Sequence, residues 1–150
     1  MAVVLQLLMK KTQMSRIRTY SQLRRLETIE ERFDYLILRG EVGSATFGLD
    51  RWVNQYFYKS REWRDVRDYV IVRDNGCDLG VPGYEIHVDL IVHHMNPLTQ
   101  DAIERGNPDI VDPEFLITTS LNTHNAIHYG DKSLLPRAPT VRRPGDTKLW

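Results

Sequence analysis

Cysteine is almost absent from this chain of 150 residues. Cys77 stands alone, so no intrachain disulfide forms and no four-thiolate zinc site assembles. The scarcity fits a reducing, cytoplasmic setting. Long apolar runs are missing too. The longest, Ala2 to Met9, is broken by Gln6 and falls far short of the roughly 20 residues that span a bilayer, so a membrane protein is not expected. The same opening lacks the positive n-region and small-residue cleavage site of a secretory signal. Nor is there an excess of charge, since 20 basic and 20 acidic residues cancel. With 41% hydrophobic residues, three Trp, seven Tyr and four Phe, the composition excludes intrinsic disorder and suits one ordinary core.

The cancelled charge conceals an uneven distribution. Met1 to Arg39 holds eight Lys or Arg against four Asp or Glu, and Lys132 to Trp150 holds five against one. Val81 to Asp131 holds eight acids and one base, Arg105. Basic ends around an acidic middle suit a cation-bearing centre with arms that reach phosphates, although a solvated tail explains a basic end equally well.

Organisation follows from caps and periodicity. Residues 1–20 read as a flexible basic arm, 21–131 as a single domain and 132–150 as an irregular basic tail marked by Pro136, Pro139 and Pro144. Within the domain, 21–72 is helical. Ser21 caps a helix with Leu23, Leu26, Ile29, Phe33 and Leu36 on one face, stopped by Gly40. After a turn at Thr46 to Gly48, Asp50 caps a second helix with Trp52, Val53, Tyr56 and Phe57 on one face. Ser60 caps a third, with Trp63, Val66 and Val70 inward and the outward pairs Arg61 with Asp65 and Arg64 with Asp68. Turn formers fill Arg73 to Gly83. A strand is then predicted from Glu85 to Val92, ending in His93 and His94, followed by a short helix and loop after Thr99 and a second strand over Phe115 to Thr119. A last helix runs from Ser120 to Tyr129 with Leu121 and Ile127 inward, and Gly130 ends it.

Four of the five histidines fall into two tight groups. His124 and His128, four residues apart, share a helical face and offer two imidazole nitrogens to one metal ion. His93 and His94 are adjacent on a strand and point to opposite sides, so one can complete the site while the other stays free as a base. His87, two residues inside the strand, reads as structural or surface. Three imidazoles favour Zn²⁺, Ni²⁺, Co²⁺ or Mn²⁺ over the oxygen-seeking Mg²⁺.

The order VHHMNP, DPEFLITTS and THNAIHYG, preceded by YFYKSREWRDVRDYVIVRDNGCDLG, resembles the HNH endonuclease family, particularly its small free-standing bacteriophage members. The resemblance covers roughly Tyr56 to Asp131. It implies an α+β fold with a ββα-metal (His-Me finger) core over 73–131, N-terminal helices packed around it and an irregular C-terminal tail. It further implies one divalent metal (Mg, Mn, Ni or Zn) held by His93, His124 and His128, and His94 as general base in hydrolysis of DNA phosphodiesters. DNA and phage terminase or packaging proteins are the implied partners. The sequence departs from the family in two places. Phe115 stands where the motif asparagine belongs, with Asn107 a candidate replacement brace, and Gly80, Ser120 and Thr123 accompany Cys77 at positions where many relatives carry two CxxC pairs. Two other readings fit the same residues: a non-cutting DNA-binding or packaging accessory that retains the fold, and a protein stabilised by a His-rich structural metal.

Overall fold

Thr19 and Thr28 set the N-terminal architecture. The computed structural model describes residues 16–38, 51–140 and 143–146. The Thr19 side chain accepts from Gln22 N to start α1 (Tyr20–Leu23), and Thr28 forms a capping box with Glu31 to start α2 (Ile29–Leu36). The single helix expected from Ser21 is therefore two, because extended backbone at Thr28 (ψ 154°) opens a new N-terminus whose N–H groups its own side chains satisfy. Leu23, Phe33 and Leu36 are buried as the periodicity requires. Gly40, the turn at Thr46 to Gly48, the Asp50 cap and the side chains of Trp52 and Val53 lie outside the described residues, as do residues 1–15.

Part of the expected basic arm belongs to the fold. Arg18 is buried, donating from Nε to the Tyr35 carbonyl at 2.8 Å and through a second guanidinium nitrogen to the Ile37 carbonyl at 2.9 Å. Its backbone N–H meets Asn96 Oδ1 at 2.8 Å, which ties the segment to the loop after the histidine strand.

Ser60 separates α3 (Arg51–Lys59) from α4 (Arg61–Arg73), accepting from Trp63 N. Trp63, Val66, Val70 and Phe57 are buried, whereas Tyr56, grouped with Phe57 on one face by the sequence pattern, is 79% exposed. Arg61 pairs with Asp65 at 3.6 Å; Asp68 pairs with its neighbour Arg67 at 3.6 Å rather than with Arg64.

The long strand expected over Glu85 to Val92 is interrupted. Glu85 pairs with Cys77 in a small antiparallel hairpin of β1 (Cys77–Asp78) and β2 (Tyr84–Glu85). Asp89 then takes a left-handed conformation (φ 56°), so the ladder restarts as β3 (Leu90–His94). β3 pairs antiparallel with β4 (Leu116–Ser120), His93 opposite Ile117 and His94 opposite Leu116. Between them lie α5 (Gln100–Glu104) and short 3-10 turns at Pro108–Val111 and Pro113–Phe115. β4 passes directly into α6 (Leu121–Tyr129), capped by Ser120 and ended by Gly130 at φ 65°. Leu121, expected inward, is exposed on its first turn, and Thr123, Ala126 and Ile127 are the residues α6 buries.

Strand periodicity divides the core between the two faces of the β3–β4 sheet. Ile117 joins Ile127, Leu23, Leu36 and Met95 in one cluster; Val92 and Leu116 join Trp63, Val66, Val70 and Ile110 in the other. The sheet thus lies between α6 with the N-terminal helices on one side and α4 on the other. The tail begins with a 3-10 turn, Lys132–Leu134, where Lys132 lies 3.5 Å from Glu30. No helix among the described residues is long and apolar enough to cross a membrane.

Candidate metal centre

The same two-residue period sends His93 and His94 to different faces. His93, paired with Ile117, points toward α6, where His124 and His128 stand one turn apart. The ring centroids of His93 lie 5.3 Å from those of both helix histidines, which are 4.3 Å from each other. One ligand atom from each lies within 4.8 Å of the other two. The chemistry of the set fits a divalent cation. His93 Nε2, His124 Nδ1 and His128 Nδ1 are buried without a hydrogen-bond partner among the described residues, a costly arrangement for three neutral imidazoles unless a Lewis acid satisfies them. Burial holds all three below the ordinary imidazole pKa, His93 well below, so all are in the neutral, metal-binding form at pH 7.

His94, paired with Leu116, faces α4 instead. Its ring stacks on Trp63 with centroids 5.1 Å apart and an interplanar angle of 16°. Nε2 lies 2.9 Å from the Ile110 carbonyl, so in the neutral ring Nε2 carries the proton and Nδ1 keeps its lone pair. Desolvation pushes its pKa down to about 4, against the opposing pull of that carbonyl. The two faces meet in one cleft of about 320 Å³, lined by His93, His94, His124 and His128 together with Tyr58, Trp63 and Arg67.

Asn107 reaches His94 only indirectly. Its side chain accepts from Asp109 N at 3.0 Å and caps the 3-10 turn that presents the Ile110 carbonyl. Phe115, at the position of the family's asparagine, contributes its carbonyl to Met95 N at 3.0 Å just beyond β3. His87 is exposed beside Glu85, outside the cluster. The stacking role of Trp63 escaped sequence reading, which placed it in the core; the i to i+4 step from Trp63 to Arg67 would have put both on one helix edge, but nothing in the sequence pointed that edge at His94.

Compared with known proteins, the chain matches no family model, no curated protein and no solved structure. Fold and site define an α+β chain of helices around two small antiparallel sheets, with three clustered imidazoles and a fourth aimed apart from them.

These histidines make metal-free stability depend on pH. A group whose folded pKa lies below its unfolded value near 6.5 favours the folded state above that value and loses the contribution as pH falls through the folded pKa. For His94 the window runs from about 6.5 down to about 4. In EDTA, the urea midpoint is expected to drop steadily from pH 7 to pH 5 with an unchanged slope; a flat midpoint across that range contradicts the buried, neutral histidines.

Proposed function

We propose that this protein is a metal-dependent DNA endonuclease of the HNH type, built on a ββα-metal core of β3, β4 and α6. The observation that carries the reading is the division of labour among four histidines: three clustered with orphaned nitrogens, and a fourth, uncharged and separately braced, lining the same cleft. His93, His124 and His128 would hold one divalent cation. Bound there, the cation would supply neutralisation of the charge that builds on a phosphodiester during hydrolysis. His94 Nδ1 takes the proton of the attacking water while Ile110 and Trp63 keep its ring oriented. With its pKa pushed down to about 4 by burial, the ring is an unprotonated acceptor at neutral pH, and an anionic phosphodiester entering the cleft would raise it toward the optimum for proton transfer. Arg67, which lines the cleft, would meet a phosphate of the substrate.

The test is cleavage of supercoiled plasmid with Mg²⁺, Mn²⁺, Ni²⁺, Zn²⁺ or EDTA, using wild type and His128→Ala. Nicking or linearisation is expected only with metal and only from wild type, with His128→Ala losing both metal binding and cutting. Absence of cutting with every metal, from folded protein that still retards DNA on a gel, favours the non-cutting accessory, a reading that Phe115 at the asparagine position supports.

A further inference from the structure

The helix bearing two of the three clustered histidines is held at its N-terminus by a buried carboxylate. Asp78 is fully buried in β1. Its Oδ2 accepts from Ser120 N at 3.1 Å, from Ser120 Oγ at 2.7 Å and from the Thr123 hydroxyl, while Oδ1 accepts from Gly80 N at 2.9 Å. Ser120 is the cap of α6, and Thr123 directly precedes His124. The carboxylate therefore lies at the positive end of the α6 dipole, beside the cap whose own hydroxyl oxygen accepts from Thr123 N at 3.2 Å. A glycine permits the approach: a Cβ at Gly80 would meet Thr123 Cγ2 at 2.5 Å. The bonds bring together the turn around Cys77 to Gly80 and the turn around Ser120 to Thr123, segments more than 40 residues apart.

We infer that Asp78 is a positioning residue for the histidine cluster, fixing the rotation and height of α6 so that His124 and His128 face His93. This rests on the metal-centre reading above. Three donors converge on one oxygen, so an amide cannot replace the carboxylate: in Asp78→Asn either the Ser120 and Thr123 donors or the Gly80 N–H face an NH₂ group. Removing a group that orients metal ligands typically weakens metal affinity about 10- to 100-fold.

The experiment titrates Co²⁺ into wild type, Asp78→Asn, Thr123→Val, Thr123→Ser and the core control Val70→Ala, each at a temperature where circular dichroism shows it folded. Hydrogen exchange of the α6 amides is followed in EDTA. Asp78→Asn and Thr123→Val are expected to bind Co²⁺ about 10- to 100-fold more weakly, with an altered visible spectrum, and to exchange faster along α6. Thr123→Ser, which keeps the hydroxyl, and Val70→Ala should bind as wild type does. If folded Asp78→Asn keeps wild-type affinity and spectrum, the carboxylate only staples the fold and the inference fails. Should wild type bind no Co²⁺, the metal-centre reading fails by itself, and the exchange arm still decides whether Asp78 sets α6: equal exchange in Asp78→Asn and Val70→Ala overturns it.

Discussion

His94→Ala is expected to slow metal-dependent plasmid cleavage by about 10² to 10⁴ while leaving Zn²⁺ or Co²⁺ affinity within a few-fold of wild type. That loss corresponds to about 2.7 to 5.5 kcal/mol of barrier. The separation follows from register. His93 and His94 are neighbours in sequence, but β3 turns one toward α6 and the other toward α4, and the orphaned nitrogens belong to His93, His124 and His128. His94 holds its proton against Ile110 and its face against Trp63, contacts that fix the ring and have no part in the cluster. Nicking rates and metal titrations on the same preparations provide the check. Cutting at the wild-type rate would move the base elsewhere, and loss of metal along with activity would mean that His94 belongs to the ligand set after all. Trp63→Leu should fall between the two, slowing cutting without affecting metal affinity, since it removes the stacked ring and leaves Ile110 in place.

Much of this arrangement was legible in the sequence because it is local. The i, i+4 spacing of His124 and His128, the Ser60 cap and the Gly130 stop each depend on residues within one or two turns, and the structure has them as read. The opposed directions of His93 and His94 follow from strand period alone. What failed had local competitors: Thr28 with Glu31 starts a new helix inside a pattern whose apolar spacing continues unbroken, and Asp89 divides a β-branched run by adopting positive φ. What was invisible is long-range. Asp78 meets Ser120 and Thr123 across more than 40 residues, and Asp74 meets Thr118 across 44, contacts that no period or motif announces.

Asp74 carries the largest expected effect on stability. The carboxylate, 5% exposed, receives Arg73 Nε at 2.8 Å and a second guanidinium nitrogen at 3.1 Å, and accepts from Thr118 N at 2.8 Å. Arg73 also donates to the Pro113 and Leu116 carbonyls, each at 2.7 Å, and lies 3.7 Å from the centroid of the Tyr20 ring. One ion pair thus joins the end of α4 to β4, to the 3-10 turn before it and to α1. Asp74→Ala leaves the guanidinium without its counter-charge and a buried Thr118 N–H without an acceptor, an expected loss of about 3 to 5 kcal/mol. For a chain of this size the melting temperature should fall on the order of 10 °C. Removing both charges in Arg73→Met with Asp74→Ala eliminates the unpaired cation but still strands the Pro113 and Leu116 carbonyls and the Thr118 N–H. The double variant should therefore be less destabilised than the two single losses added together, while staying below wild type. Urea unfolding of the four proteins at pH 7.5 measures the coupling; a cost under about 1 kcal/mol for Asp74→Ala would show that the junction is solvated and contributes little. Because Asp74 grips Thr118 in mid-strand and not the cap of α6, the folded Asp74→Ala protein should bind Co²⁺ as wild type does, the opposite of what Asp78→Asn should do.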